Sequence, residues 1–346
     1  MTRRTRRAPL AAATAMAAAL ALAACSGDTD PGAEAEDTDS GGAGSTPEGP
    51  FVYEDGRGET VELAQVPDTV VAQSSVAAAL WDAGYQVDGV YGELGEVDGE
   101  LNYQAGNIDV SQVDVLGEAY GELDVQQYGL MSPDLLIDYT FDGETLWYVP
   151  ARSAKQVYDL APAIGVDGNN FGDTDEAIET FVDLAGELGA DTESEQLVAD
   201  KQAYDDAVVE LAANAQESGL EVVFVSADVD AGTFYVANPD FFPEVLTLDE
   251  AGVPIIEPRS GKPMHFHALS WEEAADYADA DVIFFDARTF GALTGKLESI
   301  DTWAGLPAVE AGQVYPWYAA APYSYKVYGD VYQEMADQLA EAEPLD

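Results

Sequence analysis

The sequence predicts an α/β protein of two Rossmann-like lobes, each a mostly parallel sheet flanked by helices. One long helix joins the lobes, with a ligand cleft between them. Three observations lead there. Short apolar runs of strand character alternate with helical runs between residues 69 and 139, which implies parallel strands with helices on the sheet faces. A helical stretch then fills 173–216, broken only at Gly189. The alternation restarts at residue 221 and continues to the C-terminus.

The elements follow in order. Residues 69–73 read as a short strand, and Ser74 or Ser75 is placed to cap the apolar helix of 76–83. Gly84 ends that helix, 87–92 read as the next strand, 113–116 as a further short one, and 125–131 as a helical turn or two. Ser132, Pro133 and Asp134 lead into Leu-Leu-Ile-Asp-Tyr at 135–139, an apolar run that marks a buried strand. Asp173 and Thr174 cap a helix to Leu188 whose one face carries Ile178, Phe181, Val182, Ala185 and Leu188. After Gly189 a second helix covers 192–216. Strands at 221–226, 255–256, 281–286 and 313–317 then alternate with helices at 240–250, 271–278, 302–311 and 326–341. The implied divisions are a first lobe at 51–172, a joining helix at 173–189 and a second lobe at 190–346.

Ahead of the lobes, Arg3, Arg4, Arg6 and Arg7 precede an apolar stretch at 10–24, and the only cysteine, Cys25, closes Leu22-Ala23-Ala24-Cys25. Charge, apolar run and small residues in that order are those of a secretory signal at 1–24. The stretch is shorter than the roughly 20 mainly apolar residues of a membrane span. Its last four residues resemble the bacterial lipobox, which implies a diacylglycerol on the Cys25 sulfur and a protein lipid-anchored to the cell membrane on its extracytoplasmic face. A lone thiol allows no internal disulfide. Residues 25–50 are Gly, Ser and acid-rich with no aromatic side chain, so a disordered tether is expected.

The chain has 66 acidic against 13 basic side chains, a net charge of −53. Such a chain repels polyanions, so nucleic acid is excluded as a partner. A carboxylate shell this dense fits a protein kept soluble in saline surroundings, where screening reduces self-repulsion. There is no Gly-rich phosphate loop before a lysine and no Gly-x-Ser-x-Gly elbow, and the chain is not expected to be an enzyme.

Several segments taken together carry a family resemblance. They are Val66-Pro67-Asp68-Thr69-Val70-Val71, the run 77–84, and Leu130-Met131-Ser132-Pro133-Asp134-Leu135-Leu136-Ile137 in the first half. In the second they are Leu269-Ser270-Trp271-Glu272-Glu273-Ala274, Ala280-Asp281-Val282-Ile283-Phe284-Phe285, and the run from Trp303 through Gly305-Leu306-Pro307 to Tyr315. In this order they resemble the iron-siderophore, haem and cobalamin substrate-binding proteins of ABC importers. The aromatic close, Trp317, Tyr318, Tyr323 and Tyr325, is similar to that of the hydroxamate-siderophore members. The resemblance implies a periplasmic-binding-protein fold with a single joining helix, an Fe(III)-siderophore ligand, an ABC permease with its ATPase as partners, and a monomer. It implies no covalent cofactor beyond the lipid on Cys25. Haem, cobalamin or another metal chelate stays open as ligand, as does a sensor or adhesion lipoprotein on the same fold.

Ligands meet open parallel sheets at the loops after the carboxyl ends of strands. Those loops hold Ser74, Tyr139, Tyr235, Arg288, Trp317, Tyr318 and Tyr323. Rings supply contact area, and arginine supplies a donor fork for hydroxamate or carboxylate oxygens. Arg288 is either a cleft contact or a surface arginine paired with a nearby carboxylate, and the same choice holds for Arg259 and Lys262. His265 and His267, two apart on an extended segment, point the same way. Two imidazoles fall short of the three or four ligands of a tight site, so ligand contact or structural hydrogen bonding is expected and no metal site is assigned. The resemblance also implies one permease-docking glutamate on the outer face of each lobe. Glu244 matches in the second lobe; in the first, Gln126 stands at the matching position and Glu122 lies nearby.

Overall fold

The computed structural model describes residues 49–97, 99–261 and 264–345. The signal segment, Cys25, most of the tether and Lys262 lie outside the described residues. An antiparallel hairpin, β1 (Phe51–Glu54) and β2 (Thr60–Leu63), opens the first lobe. There follow β3 (Val70–Gln73), α1 (Ser74–Asp82), β4 (Gly89–Tyr91), the small hairpin β5 (Glu96–Val97) and β6 (Glu100–Leu101), and β7 (Asp114–Gly117). The lobe closes with α2 (Val125–Met131), β8 (Leu135–Thr140), α3 (Ala154–Leu160) and β9 (Ala163–Asp167). The sheet order is β7-β4-β3-β8-β9, parallel throughout. Every residue of β3 and β8 is buried, as expected where helices cover both faces of a parallel sheet. The cap of α1 is Gln73 rather than a serine: its Oε1 accepts from the backbone N–H groups of Ser75 at 2.9 Å and Val76 at 3.1 Å.

The joining segment is α4 (Thr174–Glu187), then α5 (Glu195–Ser218). The second lobe contains β10 (Val222–Asp228), β11 (Thr233–Ala237), α6 (Pro243–Glu250), β12 (Phe266–Ser270), β13 (Val282–Asp286) and α7 (Ala287–Leu297). It ends with α8 (Asp301–Ala304), α9 (Pro307–Ala311), β14 (Val314–Trp317) and α10 (Tyr325–Glu341). The order is β12-β11-β10-β13-β14, with β10, β13 and β14 parallel and the β12-β11 edge antiparallel.

Several second-lobe elements differ from expectation. Residues 255–256 contribute only an isolated bridge, Val222 to Ile255, not a strand. The helix read at 271–278 is a 3₁₀ turn, Glu273–Tyr277. The helix read at 302–311 is two short ones. Gly305 ends the first, and Pro307, with no N–H to give, starts the second.

The lobes are fastened together at several points. One apolar core includes Val70 and Phe181 from the first lobe and joining helix and Phe224 and Trp317 from the second. After β14 the chain returns to the first lobe, where Ser324 donates to Asp82 at 2.6 Å and Tyr103 donates its hydroxyl to the Ala319 carbonyl at 2.6 Å. Thr174 at the head of α4 shares hydrogen bonds with Tyr332 at 2.7 Å and Thr247 at 2.9 Å, tying α10 and α6 to the joining helix. A large opening of the lobes would break this core and these bonds, so the cleft is largely pre-formed.

Eight ion pairs form among the described residues, most of them solvent-exposed and individually worth little. Against a net charge of −53, added salt should therefore screen repulsion more than it weakens attraction. The denaturant midpoint is expected to rise from low to molar NaCl; a midpoint that stays level or falls contradicts this.

Candidate ligand-binding cleft

The order of the first sheet reverses direction at β3 and β8, the kind of switch point at which α/β sheets receive ligands. A cavity of about 1230 Å³ opens there, lined by Ser75 at the head of α1, just after β3, by Tyr139 of β8, and from the second lobe by Glu244, His265 and Arg288. That is above the roughly 300–1,000 Å³ of drug-sized pockets.

The first-lobe wall is aromatic. Phe141 and Trp147 meet edge to face at 5.3 Å, and Tyr120 and Tyr148 at 5.2 Å. Tyr120 is 56% and Trp147 46% exposed, a ring surface left uncovered in the free protein. Asp138, on β8 beneath the wall, holds it in place. Its carboxylate accepts from the Tyr91 hydroxyl at 2.8 Å and from the backbone N–H groups of Tyr148 at 3.0 Å and Tyr139 at 2.7 Å. Full burial pushes the Asp138 carboxyl up to about 7, although these bonds pull it down. Gly168 matters for a different reason: a Cβ there would run into the Phe141 ring.

The second-lobe side carries the charge. Asp286 ends β13, is 2% exposed, and takes the Arg288 guanidinium in a fork, with Nε at 2.9 Å and Nη2 at 2.6 Å. Burial works against the Arg288 charge, but the Asp286 carboxylate outweighs it and raises the pKa. Glu244 lines the cleft at 4% exposure, where burial lifts its carboxyl to about 7. His265 packs on the rings of Phe241 and Phe242, and burial lowers its pKa.

Of the expected site residues, Tyr139, His265, Arg288 and Tyr323 line the cavity. The others need correction. Ser74 is fully buried, bonded to Gln73 and to the backbone of Glu93, and its neighbour Ser75 lines the cleft instead. Tyr235 lies on β11 against Phe266, outside the cavity lining. Arg259 pairs with Asp279 and covers the Tyr277 ring, away from the cavity. His267 points to Ser260, apart from His265, and no group of metal-ligating side chains occurs among the described residues. Trp317 is 1% exposed, turned into the core with its indole N–H on Glu244 at 3.1 Å. Tyr318 leans on Tyr103 outside the lining. Glu244 is not on an outer face; Glu122 is exposed. Trp147 and Tyr148, in an irregular segment, and Phe241 and Phe242, which read as the start of a helix but form the turn ahead of α6, complete the lining.

Two lobes closing on a deep, ring-walled cavity define a solute-binding protein rather than an enzyme. The chain belongs to the periplasmic binding protein family, whose model matches residues 70–321. DesE, a ferric-siderophore receptor protein from Streptomyces coelicolor, is 33% identical over 86% of this chain and 100% of its own, with a TM-score of 0.74. FhuD2 from Staphylococcus aureus, solved with bound ferrioxamine B, shares the fold at 17% identity, covering 79% of this chain and 98% of its own, with a TM-score of 0.55. The iron-uptake ABC transporter substrate-binding protein PiuA from Streptococcus pneumoniae does so at 14% identity, covering 85% and 100%, with a TM-score of 0.60. No curated protein matches the chain.

Proposed function

We propose that this protein is the substrate-binding component of an ABC importer, capturing a ferric siderophore of hydroxamate type and delivering it to a permease and its ATPase. We further propose that it works as a monomer, lipid-anchored through Cys25 on the extracytoplasmic face of the cell membrane. The observation that carries the ligand reading is the cleft itself. It has room for a bulky chelate, aromatic walls, and among its lining residues a single guanidinium, Arg288, already paired with Asp286. Glu93, Glu100 and Glu244 also line it. A highly anionic catecholate complex would meet mostly carboxylates here, whereas a neutral or cationic trihydroxamate would not be repelled. The likeness to DesE, a ferric-siderophore receptor, supports the same class.

Trp147 stands in the wall and reports occupancy. Titration with a ferric trihydroxamate is expected to quench tryptophan fluorescence saturably at one chelate per chain, with ferric catecholates, haem and cobalamin giving none. Saturable binding of haem, cobalamin or a catecholate, with no response to any hydroxamate, overturns the ligand reading.

A further inference from the structure

One oxygen of the Glu244 carboxyl has no role in the contacts described so far. Glu244 is the second residue of α6, behind Phe242 and Pro243, and it faces the cavity while almost wholly buried. Its Oε1 accepts from the Trp317 indole, but its Oε2 is buried with no hydrogen-bond partner among the described residues. An unpaired buried carboxylate oxygen is costly, and natural sites that keep one generally reserve it for a ligand, ion or water.

The groups around it explain why it is free. Arg288, from α7, is the nearest cation, but its fork is committed to Asp286. Trp317 donates to the other oxygen. Tyr323, Tyr328 and Tyr332 from the closing segment and α10, and Tyr103 from the first lobe, are the phenols that feel its charge; the Tyr323 hydroxyl leans toward the carboxyl, the Tyr332 hydroxyl goes to the Glu244 carbonyl, and that of Tyr103 to Ala319. Arg288 therefore acts on this carboxyl through charge alone, with no hydrogen bond between them.

Building on the hydroxamate reading, we propose that Glu244 is a ligand-binding residue whose free oxygen receives a protonated amine of the chelate. The cleft would thus favour a ferric hydroxamate bearing a cationic arm over the same chelate without one. Glu244 stands in the cavity lining with one oxygen unpaired just beneath its surface, and the scarcity of cations in the cleft supplies the bias.

The test uses two linear ferric trihydroxamates that differ only in whether the terminal primary amine is free or acetylated. Each is titrated by tryptophan quenching into the wild type and Glu244→Gln at pH 8 and pH 5.5. Gln keeps the shape and a carbonyl for Trp317. The wild type is expected to bind the amine form about tenfold more tightly at pH 8, the scale of one charge-assisted hydrogen bond. The preference should shrink at pH 5.5, where Glu244 is mostly protonated and the amine remains charged. In Glu244→Gln the two chelates should bind alike at both pH values. Equal binding by the wild type at pH 8, or an amine preference that survives in Glu244→Gln, overturns the proposal; the wild-type pH comparison decides it even if the variant fails to fold. Failure of both chelates to bind the wild type instead overturns the hydroxamate reading on which it rests.

Discussion

Replacing Arg288 by Met is expected to weaken ferric-siderophore binding by roughly 10- to 100-fold, the loss of one or two hydrogen bonds from a charged donor. The side chain is 39% exposed and faces the cavity, while its partner Asp286 is 2% exposed at the end of β13. The substitution thus also strips a nearly buried carboxylate of its counter-ion. Removing one member of a fully buried pair costs about 3–5 kcal/mol. Here water reaches the arginine side of the pair, and Asp286 keeps the Arg288 backbone N–H at 3.1 Å, so about 1–2 kcal/mol is expected after screening. The double variant Asp286→Asn/Arg288→Met should recover most of the stability and none of the affinity. Denaturant unfolding and fluorescence titration of the three proteins separate the two effects. Unchanged affinity in Arg288→Met would remove the guanidinium from the ligand, leaving it a surface partner of Asp286.

That arginine was legible because it follows the apolar run Val282 to Phe285, whose burial on both sheet faces leaves the strand end as the place where chemistry emerges. The same rule found Tyr139 and Tyr323. It failed at Trp317 and Ser74 because a strand end states where the backbone stops, not which way a side chain turns. Trp317 rotates into Phe224 and Phe242, at 5.5 and 4.8 Å, and Ser75 rather than Ser74 reaches the cavity. The fold was legible wherever strands are buried on both faces, as at Val70 to Ala72 and Leu135 to Ile137. The antiparallel edge was not: β11 and β12 are half-covered, only five residues each, and sit beside turns that read as loop. The ring wall was the least visible part. Trp147 and Tyr148 lie in an irregular strap with no period of its own, tied back to the end of β8 by Trp147 N–H on the Tyr139 carbonyl and Tyr148 N–H on Asp138. Glu244 was misplaced because the resemblance supplied an outer-face role, whereas the turn at Phe242 and Pro243 directs the carboxyl inward.

Unfolding free energy of the ligand-free protein is expected to fall as pH rises from about 5 to about 7.5, and Glu244→Gln should flatten a large part of that fall. Burial raises two carboxyls to about 7, Glu244 from 4.5 and Asp138 from 3.8. Between the unfolded and folded values the native state holds protons that the unfolded chain has released. Stability is therefore greatest at the acid end of this window, declines as pH passes through the folded values, and levels off above them. At about 1.4 kcal/mol per pKa unit, each group withdraws on the order of 3 kcal/mol by pH 8. Exposed acids such as Asp142 and Glu273, whose carboxyls are lowered by hydrogen bonds, act in the opposite direction but finish titrating below pH 5. His265, lowered by burial, also opposes the trend, because its neutral form is favoured in the fold. Gln at 244 keeps a carbonyl for the Trp317 indole and removes the proton, so its effect on the slope is cleanly electrostatic. Asn at 138 is a different experiment. The three donors on that carboxylate leave no room for an amide NH₂, so Asp138→Asn should lose stability at every pH and loosen the Tyr148 strap. Denaturant titrations at four pH values between 5 and 8 measure both slopes. A level wild-type profile, or a wild-type slope in Glu244→Gln, would mean that the Glu244 carboxyl is ionised throughout and that its free oxygen is already neutralised within the cleft.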